Sequence, residues 1–263
     1  MKNITIIMYH YVREIKNSKY PTIKGLEISS FKRQLDFLEK NFEIIQPIDL
    51  IQNKELPNNS CLLSFDDGLK DHTEFVLPEL NKRKLKGCFF PPGAAIIENE
   101  ILDVHSIHFI LAKVKDKSIL VSILNSLCLE NGYNKKDLKN YWNIHGKIGQ
   151  YDSREVVYFK RMLQFVLPLD LRKKITNFLF KKYLNISTSE FAKKLYMNKN
   201  DLNKLLESEM YIGSHSYNHY WLNTLNYQNQ KKDIEKSLNF LKEIGAPIKN
   251  WIMCYPYGSF NNN

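Results

Sequence analysis

The sequence is poor in the features that mark several common protein classes. Its four cysteines (Cys61, Cys88, Cys128 and Cys254) form no Cys-x-x-Cys pair, so no cysteine-based zinc module or redox motif is expected. Cys61 and Cys88 sit inside apolar, strand-like runs, where a reduced thiol packs as a small hydrophobe. No Gly-rich phosphate loop occurs, which excludes the common nucleotide-binding fingerprints. No apolar window approaches the length of a membrane-spanning helix, so no transmembrane segment is expected. The N-terminal run from Ile4 to Tyr9 is too short for a secretory signal and has no small-residue cleavage site. These absences together predict a cytoplasmic protein with reduced thiols. Interleaved aromatic and basic residues of the kind that bind nucleic acid are also missing, so nucleic acid is not an expected partner. There is no internal repeat, and the only low-complexity tract is the terminal Asn261-Asn262-Asn263.

What is present is globular. The 263 residues are 43% hydrophobic and 13% aromatic, enough for one large α/β domain or a smaller one carrying an insertion. Lys and Arg outnumber Asp and Glu by 38 to 28, a formal charge of +10, which points to an anionic partner: a phosphorylated or acidic sugar, a membrane surface or nucleic acid, among which basicity alone does not choose. Much of the surplus lies on Lys-rich helix faces (Lys113, Lys115, Lys117; Lys135, Lys136, Lys139; Lys173, Lys174; Lys181, Lys182) of the kind that are solvated.

In chain order, Ile4 to Tyr9 reads as a buried strand ending at His10. Ser29 or Ser30 can cap a helix with the apolar stripe Phe31, Leu35 and Leu38. A strand follows at Phe42 to Ile45, then a short helix from Pro47 to Lys54, a strand at Cys61 to Phe65, a helix from Phe75 to Leu85 and a strand at Gly87 to Phe90. This alternation predicts a parallel α/β sheet, open or closed into a barrel. From Leu102 to Leu206 only helical periods appear, so residues 102–206 read as a helical insertion between a first sheet part, 1–101, and a second, 207–263. The second part has a strand at Met210 to Gly213, an amphipathic helix from Tyr227 to Ile244 with the stripe Ile234, Leu238 and Leu241, and a last strand at Trp251 to Tyr255.

Several strands end in reactive residues: His10, then Asp66 and Asp67 followed by Gly68, then His215 and His219, then Tyr255-Pro256-Tyr257-Gly258. Strand C-termini of a parallel barrel open on one face, so these residues should converge. His215 and His219 are spaced to share one side of a helical turn, and with a carboxylate they make a two-histidine, one-carboxylate set for a zinc-like ion. Of the two adjacent acids, one would ligate and the other would take a proton from water. His105 and His108, at helical spacing beside Ile107 and Phe109, read as structural rather than as a second metal pair.

The Ser-Phe-Asp-Asp-Gly, His-Ser-x-x-His and Tyr-Pro-Tyr-Gly elements, in this order after Met-Tyr-His-Tyr, resemble the polysaccharide deacetylase family, the NodB-like carbohydrate esterases. The resemblance covers roughly residues 1–100 and 207–263. It implies a distorted parallel β/α barrel and metal-dependent hydrolysis of an N-acetyl or O-acetyl group on a sugar. Asp66 would be the general base, Asp67, His215 and His219 the ligands of a divalent cation, most simply Zn²⁺, and the Tyr257 N–H an oxyanion donor. His10, Tyr255 and Pro256 would line the substrate. The Leu102-to-Phe109 segment and Met253-Cys254-Tyr255-Pro256-Tyr257-Gly258 also resemble a subgroup found with surface-polysaccharide and lipopolysaccharide synthesis, which implies an acetylated sugar or sugar-phosphate precursor as substrate.

The sequence departs from the family pattern twice. The arginine many members carry before the Pro-Tyr step is absent. The downstream Leu-x-His, whose histidine serves as general acid, has no counterpart here, so the barrel is expected to be incomplete at its C-terminus and the acid would have to come from a residue such as His10 or His72. With the barrel incomplete, the Trp251–Tyr255 strand should expose an apolar edge toward Ile4–Met8 and favour a homodimer. The alternative is a catalytically weak or inactive homologue that binds carbohydrate or a partner.

Overall fold

The computed structural model describes residues 4–52 and 54–260; Met1, Lys2 and Asn3 and the terminal Asn261-Asn262-Asn263 tract lie outside them. The chain divides into two compact units, one of Met1–Ile15, Lys24–Glu100 and Ser189–Asn263, the other of Lys16–Ile23 and Ile101–Thr188.

The first unit is α/β with a parallel sheet, the fold class expected from the sequence. Its strands are β1 (Ile4–Tyr9), β2 (Glu43–Ile44), β3 (Ser60–Asp66), β4 (Cys88–Phe90) and β5 (Tyr211–Ile212). Helices α1 (Ile28–Asn41), α2 (Pro47–Ile51), α3 (Leu77–Arg83) and α4 (Gly93–Ile97) connect or follow the first four strands. β1 pairs with one edge of β3, while β2 and β4 share the other edge, β2 beside Ser60 and Cys61 and β4 beside Ser64 to Asp66. β5 then extends the sheet from β4. All seven residues of β3 are buried, as a strand covered on both faces must be, and such strands read as nearly continuous apolar runs.

The two faces of β3 divide the core. On one face Phe65 stacks on its register partners, Tyr9 of β1 at 5.3 Å and Phe89 of β4 at 4.8 Å. Phe31 of α1 meets Tyr9 edge-on at 5.1 Å, and Leu35 and Leu38 continue that buried stripe. The helix starts at Ile28 with Glu27 as its N-cap and no side-chain cap bond, so Ser29 and Ser30 lie inside its first turn. The other face carries Leu62, Cys88, Phe90, Tyr211 and Ile45 as one buried cluster. Ser64 and Asp66 follow Leu62 on this second face by the two-residue period of a strand, which puts one carboxylate at the end of an apolar wall.

The last strand expected from the sequence does not form. Around Trp251–Tyr255 only Met253 bridges to Ser214, in parallel, through bonds from Ser214 N–H to Ile252 O (3.0 Å) and from Cys254 N–H to Ser214 O (2.9 Å). Trp251 and Ile252 therefore give no edge to face β1. Among the described residues β1 is itself at one edge of the sheet, and Ile6 and Met8 are exposed on it. Gly213 explains the tight approach beside the bridge: a Cβ there would lie 2.6 Å from Ile252 O and from the Phe90 ring.

After β3 the chain turns through a wide π-type turn, His72–Val76, into α3. His72 is wholly buried against the Phe65 and Phe89 rings; its Nε2–H, assigned from its partner, donates to His10 O at 3.1 Å. Helices α10 (Thr188–Leu195) and α11 (Lys199–Glu207), reached through the second unit, and α12 (Tyr227–Glu243) complete this unit. Lys70 ties the turn after β3 to α11 by an ion pair with Asp201 at 2.9 Å.

The second unit is helical: α5 (Asp103–Lys113), α6 (Lys117–Glu130), α7 (Lys135–His145), α8 (Arg154–Arg161) and α9 (Leu169–Leu184). Asp116, Asn134 and Ser153 cap α6, α7 and α8, and Ile107, Ile110, Leu124, Phe159, Leu163, Ile175 and Leu179 fill its core. His105 is buried on α5 with its ring 6.2 Å from that of His108, and no third metal-type ligand joins them among the described residues. No helix of the described chain is long and apolar enough to cross a membrane.

Burial pushes His72 down from 6.5 to about 4, so the folded protein resists a proton that the unfolded chain accepts. Stability should therefore be full above pH 6.5 and fall as pH drops toward 4, by on the order of 3 kcal/mol. Chemical denaturation of His72→Gln across this range is expected to show a flatter acid limb than the parent; parallel limbs would contradict the assignment.

Candidate active site

The first half of the site is the end of β3. Asp66 points along the second sheet face, where the Ser64 hydroxyl donates to Oδ1 at 2.8 Å and the Cys254 thiol to Oδ2 at 3.2 Å. Asp67 leaves the strand in the left-handed region at φ 73°, followed by Gly68 at φ 66°, and its N–H donates to Phe90 O at 3.1 Å. A side chain at position 68 would also meet Pro91 at 2.9 Å. The reversal sends the two adjacent carboxylates to different environments, Asp66 against neutral donors and Asp67 against histidines.

The second half is the loop after β5. His215 Nδ1 contacts Cys254 O at 2.8 Å, which assigns the proton to Nδ1 and turns Nε2 toward Asp67 Oδ1, 3.3 Å away. His219 Nε2 lies 3.1 Å from the same oxygen. The helical turn expected for residues 215–219 is absent, because Ser216 and His219 both adopt left-handed backbone (φ 56° each) and a helix cannot continue through them. The imidazoles nevertheless meet, with ring centroids 4.7 Å apart. Asp233 of α12 holds this loop, accepting from Tyr217 N–H (2.9 Å), Asn218 N–H (3.0 Å) and Asn218 Nδ2 (2.6 Å). Ser216 Oγ accepts the His219 N–H at 2.9 Å, and Ser214 and Ser237 share a hydroxyl bond at 2.8 Å.

Asp67, His215 and His219 are all buried and offer one oxygen and two nitrogens within 4.8 Å of one another. A buried carboxylate aimed at two imidazole nitrogens is a donor set that a zinc-like divalent cation fits, with positions left over for other ligands. Burial alone would strip the proton from His215, but the Asp67 hydrogen bond, the Cys254 contact and the charges of Asp66 and Asp67 outweigh it and raise His215 well above its ordinary value. In the cation-free protein a proton thus balances the carboxylates.

The other expected residues fall around this centre. His10 Nε2 is 3.7 Å from Asp67 Oδ2, and its side chain is 40% exposed. His72 is not a source of a catalytic proton: it is wholly buried and neutral near pH 7. The Tyr257 ring lies 4.8 Å from that of His219 and stacks on Trp221 at 4.6 Å, with its backbone left-handed at φ 58°. Pro256 is buried in the same short turn, and Tyr255 is half exposed beside Phe260. The Arg13 guanidinium grips buried Asp71 by two bonds, at 2.7 and 2.5 Å, and Asp71 also accepts the Val12 N–H, which fixes the loop that carries His10.

Sequence reading passed over Asp233, Ser64 and Cys254. For Asp233 a signal existed: the face of α12 that is buried is Asp233, Ser237, Phe240 and Leu241, and an acid within the buried stripe of an amphipathic helix requires partners. The stripe Ile234, Leu238 and Leu241 read from the sequence is offset from it.

The strand ends of this parallel α/β sheet thus gather two carboxylates and a histidine pair into one site. The polysaccharide deacetylase family model matches residues 169–263, a stretch that includes His215, His219 and Tyr257. Three solved structures share its fold. The Streptococcus pyogenes deacetylase PplD, in complex with acetate, is 15% identical with a TM-score of 0.52, covering 98% of this chain and 76% of its own. A de-N-acetylase from Aggregatibacter actinomycetemcomitans is 14% identical with a TM-score of 0.53, covering 98% and 81%. The BpsB deacetylase domain from Bordetella bronchiseptica is 14% identical with a TM-score of 0.51, covering the same shares. A search of curated proteins finds no match.

Because the raised His215 must lose its proton before it can ligate, metal affinity should tighten as pH rises above 6.5, by up to about tenfold per unit until its elevated value is passed. The cation-free protein should lose stability over the same rise, since the contribution of a raised histidine is full below the unfolded value and vanishes above the folded one. Zinc titration calorimetry and melting with and without chelator, from pH 6 to 9, test both; pH-independent affinity would contradict the proton's place in the site.

Proposed function

We propose that this protein is a metal-dependent hydrolase that removes an acetyl group, an N-acetyl in the first instance, from a sugar of a surface-polysaccharide precursor. The observation that carries the reading is the split of two adjacent carboxylates: Asp67 faces two imidazoles, while Asp66 lies one position back with an oxygen within 4.8 Å of a His215 ring nitrogen. Asp67, His215 and His219 would hold the cation, with zinc favoured by the two nitrogens. Such a cation supplies positive charge that polarises an acetyl carbonyl and eases loss of a proton from an attacking water.

Asp66 takes that proton. Its two oxygens are oriented by Ser64 and Cys254, neither of which neutralises it as an ion pair would. The Tyr257 N–H, in a turn anchored by Pro256 and by the stacked Trp221, donates to the oxyanion as the carbonyl carbon becomes tetrahedral. His10, exposed at the end of β1, and Tyr255 and Pro256 line the sugar. His10 also returns a proton to the leaving amine.

The formal charge of +10 supports a phosphate-bearing precursor. The four free thiols, three of them buried, support a reducing, cytoplasmic setting. Exposure of Ile6 and Met8 on β1 supports a homodimer through that sheet edge. The barrel parts 1–101 and 207–263 would carry the chemistry, and 102–206 would be the insertion.

Asp66→Asn should keep stoichiometric metal but lose acetate release from N-acetylated sugar by about 10² to 10⁴, because an amide cannot accept the proton. His215→Ala and His219→Ala should lose the metal, since two protein ligands are too few for a stable site. Elemental analysis beside acetate assay decides. Full metal in the histidine variants would overturn the ligand set, near-normal turnover in Asp66→Asn would overturn the base, and sugar binding without acetate release would make the chain a binding homologue.

A further inference from the structure

Cys254 occupies an unusual position. It lies in the irregular stretch between the bridge at Met253 and the turn at Pro256, and it touches both halves of the site. Its N–H donates to Ser214 O at 2.9 Å, and its carbonyl faces His215 Nδ1 at 2.8 Å. Its thiol donates to Asp66 Oδ2 at 3.2 Å. The other three cysteines are buried as core hydrophobes, whereas Cys254 is partly accessible.

The thiol completes a pattern around Asp66. Oδ1 is taken by the Ser64 hydroxyl, fixed on β3 two residues earlier, and Oδ2 by Cys254, 188 residues later in the chain. A carboxylate bonded through one oxygen can still swing about its last torsion, which is broad and nearly two-fold; bonded through both, its plane is set. Neither Lys nor Arg pairs with Asp66 among the described residues, so these two neutral donors are what orient it. A thiol is a weak donor, strong enough to select an orientation and weak enough to leave the oxygen able to accept another proton.

We infer that Cys254 is a positioning residue for the hydrolysis: its thiol fixes the plane of the Asp66 carboxylate while its carbonyl holds the His215 ring, so one residue aligns the proton acceptor with the cation site. The inference rests on the reading of Asp66 as the base. The arrangement predicts a division of labour within Cys254. Side-chain variants remove the thiol from Asp66 and from beside the His215 ring, but leave the backbone contact with His215 in place.

The test uses the full-length, zinc-loaded protein, with acetate release from an N-acetylglucosamine oligosaccharide and the infrared S–H stretch as readouts. Cys254→Ala should lower kcat about 10- to 100-fold with KM and zinc content unchanged, and Cys254→Ser, which restores a donor, should recover most of the loss. Misalignment by this route is absent once the base is gone, so Cys254→Ala added to Asp66→Asn should cost nothing further. Independently of activity, the S–H band lost in Cys254→Ser should lie below the bands of the buried cysteines in the parent and shift on Asp66→Asn. A parent-like kcat in Cys254→Ala, no rescue by serine, additive losses in the double variant or an S–H band indifferent to Asp66→Asn would each overturn the proposal. An active Asp66→Asn would instead bring down the reading of the base, and the proposal with it, a failure recognisable because the infrared contact would persist without a kinetic role.

Discussion

The structure is organised by the need to bury two carboxylates at the end of a fully covered strand. An ionised group without partners in such a place is costly by several kcal/mol, and β3 delivers two in succession. The left-handed backbone at Asp67 resolves this by turning them apart. One carboxylate is satisfied by two imidazoles and the other by a hydroxyl and a thiol. Everything nearby serves one of these two settlements: Asp233 shapes the histidine loop, Cys254 reaches both carboxylate environments, and the ion pair of Arg13 with Asp71 holds the loop after β1.

Backbone strain is concentrated in the same place. Asp67, Ser216, His219 and Tyr257 are four of the non-glycine residues at positive φ, and each such residue costs of order 1 kcal/mol or more unless its surroundings over-determine it. Here they do, through buried hydrogen bonds to Asp233 and Ser216 and the stacking of Tyr257 on Trp221. Strain of this kind fits a site shaped for a cation and a reacting group rather than for maximum stability, as is common where binding geometry is pre-organised.

Much of this was legible in the sequence because the signals were local. The apolar run before Asp66 and Asp67 makes a buried parallel strand, and the alternation of strands and helices up to Phe90 requires a parallel sheet. Three short motifs carry the site residues, and all of them lie in the sheet-bearing unit. What could not be read is non-local or conformational. Nothing in His-Ser-Tyr-Asn-His announces left-handed residues, so its spacing suggests a helical turn, whereas the hydrogen bonds from Asp233 select a loop. Trp251–Tyr255 has strand composition, but only Met253 finds a partner, since pairing depends on what lies alongside. The thiol of Cys254 meets a carboxylate 188 positions away, a separation no local pattern reveals.

The central claim is that Asp67, His215 and His219 together form the cation site while Asp66 and Cys254 stay out of it. X-ray absorption at the zinc edge on the stoichiometrically loaded protein tests this most directly, because sulfur at ~2.3 Å is separable from nitrogen and oxygen at ~2.0–2.1 Å. The account predicts a shell of nitrogen and oxygen with two imidazoles, unchanged in Cys254→Ser and reduced by one imidazole in His219→Ala. A sulfur ligand, which would move the ion to Asp66, His215 and Cys254, would contradict it.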